Sequence, residues 1–437
     1  MQAVILAGGK GTRLRSRLGD LPKPMVDIGG KPLLQWQVEL LSAQGCRRIL
    51  VLLGYKPEAI TGYFGDGRKY GVAIDYALEQ SPLGSAGAVL AALDKLEDQF
   101  LVLYGDTALN VDINRLLQAH SASGADATLF VHPNDHPHDS DLVETTATGR
   151  IKAFHPYPHP SGSFYANLVN AALYVIEKRA LRPWKELPAP IDFARNLFPL
   201  MLEAGHDLYA YRSREYIKDA GTPERCERIE TDLRSGRIAN SSLATPAAAV
   251  FLDRDGTINE EVGRISDPAC LRLLPDASAA IRRLNHAGYP VVVVSNQPVI
   301  ARGDCTEQAL REITNKMETL LGESGAYVDA VYYCPHHPDK GFEGERPELK
   351  FACSCRKPQI GLMEAASREM NLDIAASWLI GDSDTDIEAA KNAGMRSILV
   401  ETGLAGRRGP GGGCTPDRRF ASLSEAVDSL LGSRVDL

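Results

Sequence analysis

Short runs of consecutive apolar residues punctuate the chain: Ala3 to Leu6, Ile49 to Leu53, Phe100 to Leu103, then Val250 to Leu252, Val291 to Val294 and Trp378 to Ile380. Each is followed by a longer stretch of helical pattern. Short unbroken apolar runs suit strands covered on both faces, and their alternation with helices predicts an α/β fold. Between Leu233 and Ala249 the pattern lapses into Arg-Ser-Gly-Arg-Ile-Ala-Asn-Ser-Ser-Leu-Ala-Thr-Pro, without aromatic anchors or sustained periodicity. The expected organisation is therefore one domain over 1–232, a linker over 233–248 and a second domain over 249–437. No fixed-period repeat suggests a solenoid.

Composition sharpens this picture. The chain's 437 residues exceed one ordinary core, and 44% hydrophobic with 24% charged residues is a folded, water-soluble balance. A short glycine cluster at Gly411 to Gly413 is the one biased tract. A net charge of -8 argues against nucleic acid as a partner, since phosphate backbones select basic faces. No apolar run reaches membrane-spanning length, and the start at Met1 reads as a strand rather than a signal peptide, so the expectation is a cytoplasmic protein with no membrane partner. Homo-oligomerisation stays open.

In the first half, Gly8-Gly9-Lys10-Gly11-Thr12-Arg13-Leu14 follows the first apolar run, and Lys23 follows in Leu21-Pro22-Lys23-Pro24-Met25. Glycines let backbone N–H groups converge on phosphate oxygens, and Arg13 and Lys23 neutralise their charge. The glycines alone would suit an ordinary strand-to-helix turn; the two cations favour a phosphate site. Further on come Glu79-Gln80-Ser81-Pro82-Leu83-Gly84, Tyr104-Gly105-Asp106, Val169-Asn170-Ala171 and Asp219-Ala220-Gly221-Thr222. This ordered set resembles the sugar-1-phosphate nucleotidyltransferases over residues 1 to about 232. The resemblance implies a Rossmann-like domain, a mixed sheet flanked by helices. It also implies that Asp106 and Asp219 hold Mg²⁺, that Gly8, Gly9, Gly11, Thr12 and Arg13 embrace a nucleoside triphosphate, and that Lys23 stabilises the reacting phosphate. Glu79, Gly84 and Asn170 would face base or sugar. A sugar 1-phosphate is already a nucleophile, so positioning and charge stabilisation suffice. One departure stands out: many relatives read Phe-x-Glu-Lys-Pro where this chain has Phe154-His155-Pro156-Tyr157-Pro158, which leaves Lys152 as the nearby cation. The stretch His132 to His138 reads as a surface loop without function.

In the second half, Val250 to Leu252 ends in Asp253-Arg254-Asp255-Gly256-Thr257. Two carboxylates two residues apart can divide the work of an acyl-phosphate mechanism. Asp253 attacks phosphorus, and Asp255 protonates the leaving oxygen and later activates water. Ser295-Asn296, Arg356-Lys357 and Asp382-Ser383-Asp384-Thr385-Asp386 follow. Cys334-Pro335-His336 and Cys353-Ser354-Cys355, with 16 residues between, offer three thiolates and an imidazole, a closed tetrahedral and hence structural Zn²⁺ set. His337 is the alternative imidazole. The order of motifs resembles the haloacid dehalogenase-like phosphatases, which implies a doubly wound parallel sheet with a zinc-bound loop. In that reading Ser295, Asn296, Arg356 and Lys357 hold phosphate, and Asp253, Asp382 and the backbone of Asp255 hold Mg²⁺, with Asp386 as helper. Within that group, the zinc spacing and Ile300-Ala301-Arg302-Gly303 resemble D-glycero-D-manno-heptose 1,7-bisphosphate 7-phosphatases, with histidinol phosphatases as near relatives.

The product of such a phosphatase is a heptose 1-phosphate, a substrate of the class the first half resembles. The combined expectation is a bifunctional enzyme that makes GDP-heptose and pyrophosphate with GTP as co-substrate. The alternatives are a hexose (mannose) 1-phosphate guanylyltransferase fused to a histidinol-phosphatase-like enzyme, or a phosphatase with a non-catalytic sugar-nucleotide-sensing domain.

Overall fold

The computed structural model describes residues 1–405 and 414–432; the glycine cluster at Gly411 to Gly413 lies outside them. All six apolar runs are strands, and the chain groups into two compact units. The first comprises Met1–His132, Asp141–Pro156 and Val169–Ser242; the second takes Pro133–Ser140, Tyr157–Leu168 and everything from Leu243 onward. The linker segment itself carries a short helix, Arg237–Asn240.

The first unit holds a nine-stranded mixed sheet. Its central strand Gln2–Ala7 lies between Arg48–Leu53 and Gln99–Tyr104, parallel to both. Beyond Gln99–Tyr104 the long strand Val169–Glu177 runs antiparallel. Ala3, Ile5 and Ala7 pack with Ile49, Val51 and Leu53 into one buried cluster, as the two-residue period of a strand requires.

The second unit is a six-stranded, wholly parallel sheet in the order Ala330–Cys334, Val291–Asn296, Val250–Leu252, Trp378–Gly381, Arg396–Val400, Arg418–Phe420. Alternate residues face opposite layers. Val250, Leu252, Val291 and Val293 pack against the helices Ala277–His286, Glu307–Glu323 and Leu423–Gly432. Phe251, Val292 and Val294 pack against Gly361–Met370 and Asp384–Ala393. Helices on both faces make this a doubly wound sheet. The strand order changes direction at Val250–Leu252, the switch point beside which open α/β sheets bind ligands.

The segments Pro133–Ser140 and Tyr157–Leu168 also pack on helix Glu307–Glu323. The Asn167 amide donates to Glu318 Oε2 at 2.7 Å, and Asn315 and Thr319 reach the carbonyls of Phe164 and Tyr165. The histidine-rich stretch therefore differs from the expected surface loop: Pro133, Asn134, Pro137 and Ser140 are buried. Among the described residues no helix is long and apolar enough to cross a membrane.

Candidate active sites

Every motif of the second unit sits at a carboxyl end of its parallel sheet. Asp253 follows Leu252, Ser295 and Asn296 close their strand, and Asp382 follows Gly381. The buried Lys357 Nζ ties them together, 2.9 Å from Asp253 Oδ1 and 2.6 Å from Asp386 Oδ1. Its loop is held to Asn296 by a reciprocal pair of hydrogen bonds at 2.9 and 3.0 Å. Asp386 also caps helix Asp384–Ala393 by accepting from Ser383 N–H and Oγ–H. The helix start thus fixes the carboxylate that fixes the lysine.

Carboxylate oxygens of Asp253, Asp382 and Asp386 lie within 4.8 Å of one another. Burial, only partly offset by Lys357, and the neighbouring carboxylates push Asp253 up to about 8. Burial and Asp386 push Asp382 up to about 7. Buried carboxyls of Asp253 and Asp382 raised in this way suit a hard divalent cation, which would favour the ionised form of both. The Gly256 and Gly403 backbones press on Asp382; a side chain at either would collide with its carboxylate.

Asp255 is treated differently. Burial would raise its carboxyl, but the Arg254 guanidinium, with Asn259 and Gln297, outweighs that and holds it below the usual carboxylate value. Arg254 Nη2 lies 2.9 and 2.8 Å from its two oxygens, and Gln297 Nε2 donates at 2.8 Å to Asp255 and to Ser295 Oγ. Sequence reasoning passed over Arg254, Asn259 and Gln297. Arg254 could have been found, since a cation between two acids at a buried strand end must pair with one of them.

The four predicted zinc ligands converge. Sγ atoms of Cys334, Cys353 and Cys355 stand 3.1, 3.3 and 3.5 Å apart, and His336 Nδ1 is 3.2 Å from Cys355 and 3.6 Å from Cys334. These edges are far too long for disulfides and near the ~3.7 Å edge of a tetrahedron around Zn²⁺. His337 turns away, its Nδ1 accepting from the Asp339 amide at 3.2 Å. Arg356 and Lys357 leave directly from this cluster.

In the first unit, the glycine loop borders a cleft of about 650 Å³ lined by Gly8, Gly9, Lys23, Glu79, Gly84 and Asp106 among others. Gly11, at φ 61°, is in the left-handed region and caps the turn Thr12–Leu14. Gly84, at φ 78°, leaves no room for a side chain beside Ile191 O. Asp106 and Asp219 are neighbours, because Asp219 pairs with Thr107 and Ala220 N donates to Asp106 O at 2.7 Å. Lys23 salt-bridges Asp106, and Arg225 Nη1 holds both oxygens of Asp219 at 2.7 and 2.5 Å. Arg225, absent from the sequence reading, sits in the first turn of helix Pro223–Arg234, where the dipole disfavours a cation. That misfit was its available signal. Burial raises the Glu79 carboxyl, against the Leu83 amide it accepts.

Asn170 lies outside the residues lining that cleft, beside a strand irregularity at Ala172, whose φ is 57°. At the departure near Phe154, the neighbouring strand supplies a carboxylate: Glu144 accepts from Lys152 at 2.8 Å and meets His155 Nε2 at 3.2 Å.

Fold and sites together define a transferase and a phosphatase on one chain. The nucleotidyl transferase family model matches residues 2–236, and a HAD-hydrolase-like model matches 354–426. The D-glycero-beta-D-manno-heptose-1,7-bisphosphate 7-phosphatase of Haemophilus ducreyi is 40% identical over 191 residues, 43% of this chain and 95% of that protein. Its counterpart from Escherichia coli K12 is 38% identical over 196 residues, 45% of this chain and 94% of that one. Among solved structures, HddC from Yersinia pseudotuberculosis complexed with GMP-PN is 27% identical, with a TM-score of 0.45 over 53% of this chain and 99% of that one. The chain belongs to the nucleotidyl transferase family and, through nearly the full length of these relatives, to the family of the heptose bisphosphate 7-phosphatases.

Proposed function

We propose that the chain hydrolyses the 7-phosphate of D-glycero-D-manno-heptose 1,7-bisphosphate and transfers GMP from GTP to the resulting heptose 1-phosphate, giving GDP-heptose and pyrophosphate. The observation that carries the first reaction is Lys357 bridging Asp253 and Asp386 at the switch point, in a region of 191 residues that is 40% identical to a phosphatase named for that substrate. Asp253 is the nucleophile; Lys357, Ser295, Asn296 and Arg356 hold the phosphoryl group. Asp255, protonated when the substrate binds, gives its proton to the leaving sugar oxygen as Asp253 takes the phosphoryl group; its pairing with Arg254 then favours the ionised form, which takes the proton of the water that attacks the acyl phosphate. Mg²⁺, when bound by Asp253, Asp382 and the Asp255 backbone, supplies charge stabilisation to the transferring phosphoryl.

The second reaction follows from the first, because the product belongs to the substrate class of a sugar-1-phosphate nucleotidyltransferase. Arg13, Lys23 and the loop at Gly8, Gly9, Gly11 and Thr12 cradle GTP, and Asp106 and Asp219 bind its Mg²⁺. The Glu79 carboxylate suits the two N–H donors on the guanine edge. Zn²⁺ on Cys334, His336, Cys353 and Cys355 is structural, with no position left for water. No disulfide joins the described cysteines, which suits the cytoplasm.

The test is phosphorus NMR of the full chain with Mg²⁺, GTP and each anomer of the bisphosphate. Phosphate followed by pyrophosphate and GDP-heptose is the expected result. Absence of phosphate from both anomers refutes the heptose reading; phosphate without pyrophosphate refutes the GTP transfer.

A further inference from the structure

One buried acid belongs to neither centre described above. Glu318, 5% exposed, lies on helix Glu307–Glu323, and its Oε2 accepts the amide of Asn167 at 2.7 Å, 151 residues away in the chain. A buried carboxylate is costly unless it is hydrogen-bonded, so the contribution of an acid at this point of an otherwise apolar helix face is that bond. The Asn167 side chain carries the anchor further. Its Nδ2 donates to Asn134 O at 2.8 Å, and its Oδ1 accepts the Asn134 amide at 3.1 Å. One helix residue thereby holds two segments of chain, Asn134 being two residues beyond the strand Ala127–His132 and Asn167 two residues before the strand Val169–Glu177.

The start of Val169–Glu177 needs such a hold. Its pairing with Ala127–His132 shifts between Asn170 and Tyr174, and Ala172 sits at φ 57°, where residues other than glycine are strained. Strain of this kind persists only where the surroundings over-determine it. Beyond the irregularity, Leu173 to Glu177 are held by their ladder with Gln99 to Leu103. Before it, the ladder holds only Val169 and Asn170, and the chain passes at once to Leu168 and Asn167.

This irregular stretch reaches the transferase cleft through a row of hydroxyls. Tyr174 is hydrogen-bonded to the Asn170 side chain and to Tyr104, and Tyr104 to Ser85. Tyr174 is 1% exposed, which leaves its hydroxyl to these partners rather than to water. Tyr104 and Ser85 line the cleft, and Ser85 Oγ in turn donates to Asp192 Oδ2 at 2.6 Å and accepts the Phe193 amide at 3.0 Å. Asn170 thus bears on the cleft by holding its wall from behind.

We infer that Glu318, on a helix of the phosphatase sheet, is a positioning residue for the transferase: through Asn167 it fixes Asn170 and, by way of Tyr174 and Tyr104, the cleft wall that receives the sugar 1-phosphate. Glu318 itself touches no reacting group. The inference rests on the transferase reading above and deepens it. Coupling through packed side chains is modest, about 2- to 30-fold.

The test uses the full chain with Mg²⁺, GTP and heptose 1-phosphate, with pyrophosphate as readout. Glu318→Met should raise KM for the sugar phosphate about tenfold while leaving kcat, KM for GTP and phosphate release from the bisphosphate unchanged. Glu318→Gln keeps an accepting oxygen and should restore KM. Asn167→Ala leaves the helix intact and should raise the same KM. Equal losses in both activities and for both transferase substrates would mean that Glu318 only supports the fold, and an unchanged KM in both Glu318→Met and Asn167→Ala would overturn the inference. Amide hydrogen exchange over residues 169–173 reads the anchor without any substrate, and should quicken about tenfold in Glu318→Met and Asn167→Ala but not in Glu318→Gln. If wild type releases no pyrophosphate with any sugar 1-phosphate yet exchange quickens in this pattern, the anchor stands and the transferase reading falls; unaltered exchange in both disrupting variants removes the anchor whatever the activity.

Discussion

Two phosphate-handling centres on one chain solve the same electrostatic problem in opposite ways. In the phosphatase the cation is inside: Lys357 and Asp386 side chains are 2% and 1% exposed, locked by a helix cap and a reciprocal asparagine bond. In the transferase the pairs are reached by solvent: Lys23 and Asp106 line the cleft, and the Arg225 and Asp219 side chains are 30% and 40% exposed. A centre that forms a covalent intermediate needs its acids fixed and dry before substrate arrives. One that only orients a triphosphate and a sugar phosphate can leave its charges solvated until the ligand covers them. The contrast predicts that damage to the first centre is felt by the fold, and damage to the second only by its reaction.

The sharpest break is Asp253→Asn. It should lower phosphate release from the bisphosphate at least about a thousandfold by removing the proposed nucleophile, while pyrophosphate release from supplied heptose 1-phosphate and GTP stays at the wild-type rate. Next is Asp106→Asn, which should cost the transferase about 100- to 1,000-fold with phosphatase turnover and melting temperature unchanged. If its melting temperature falls as well, the transferase pairs are structural and the contrast is wrong. Lys357→Met should destabilise the phosphatase unit by about 3–5 kcal/mol in urea, because the buried Asp253 and Asp386 lose the ammonium that pairs with both.

The smallest effect is one of pH. Raised carboxyls at Asp253 and Asp382 favour folding while protonated; that contribution is whole below the ordinary carboxylate range and is lost as pH climbs through about 7 and 8. Mg²⁺ should restore it, so the gain in melting temperature on adding Mg²⁺ should be greater at about pH 8 than at about pH 6, by about 3 °C. An equal gain at both would mean that the metal does not sit on these acids.

Much of this was legible in the sequence, for a physical reason. Ligands carried on neighbouring backbone, as at Cys334, His336, Cys353 and Cys355, or placed at strand ends, as at Asp253 and Asp382, inherit their positions from local pattern, and the structure brings them together. What stayed hidden depends on distant packing. Arg225 acquires meaning only from Asp219 across a turn, and Gln297 only from the Asp255 and Ser295 it joins. The burial of Asn134 and Asn167 required knowing that helix Glu307–Glu323 lies over them, which no periodicity near those residues records.

The grouping of Pro133–Ser140 and Tyr157–Leu168 with the second unit bears on how the chain is made. A ribosome delivers these two pieces long before the helix Glu307–Glu323 on which they pack, so they must wait for that helix to be synthesised. A gene split at the linker would leave them on the wrong polypeptide. A separately made second half would carry Glu318 without the Asn167 amide, and Asn315 and Thr319 without their carbonyls. The join between the two enzymes is therefore woven through five crossings of the chain rather than a single one, and the fusion cannot be undone by one cut.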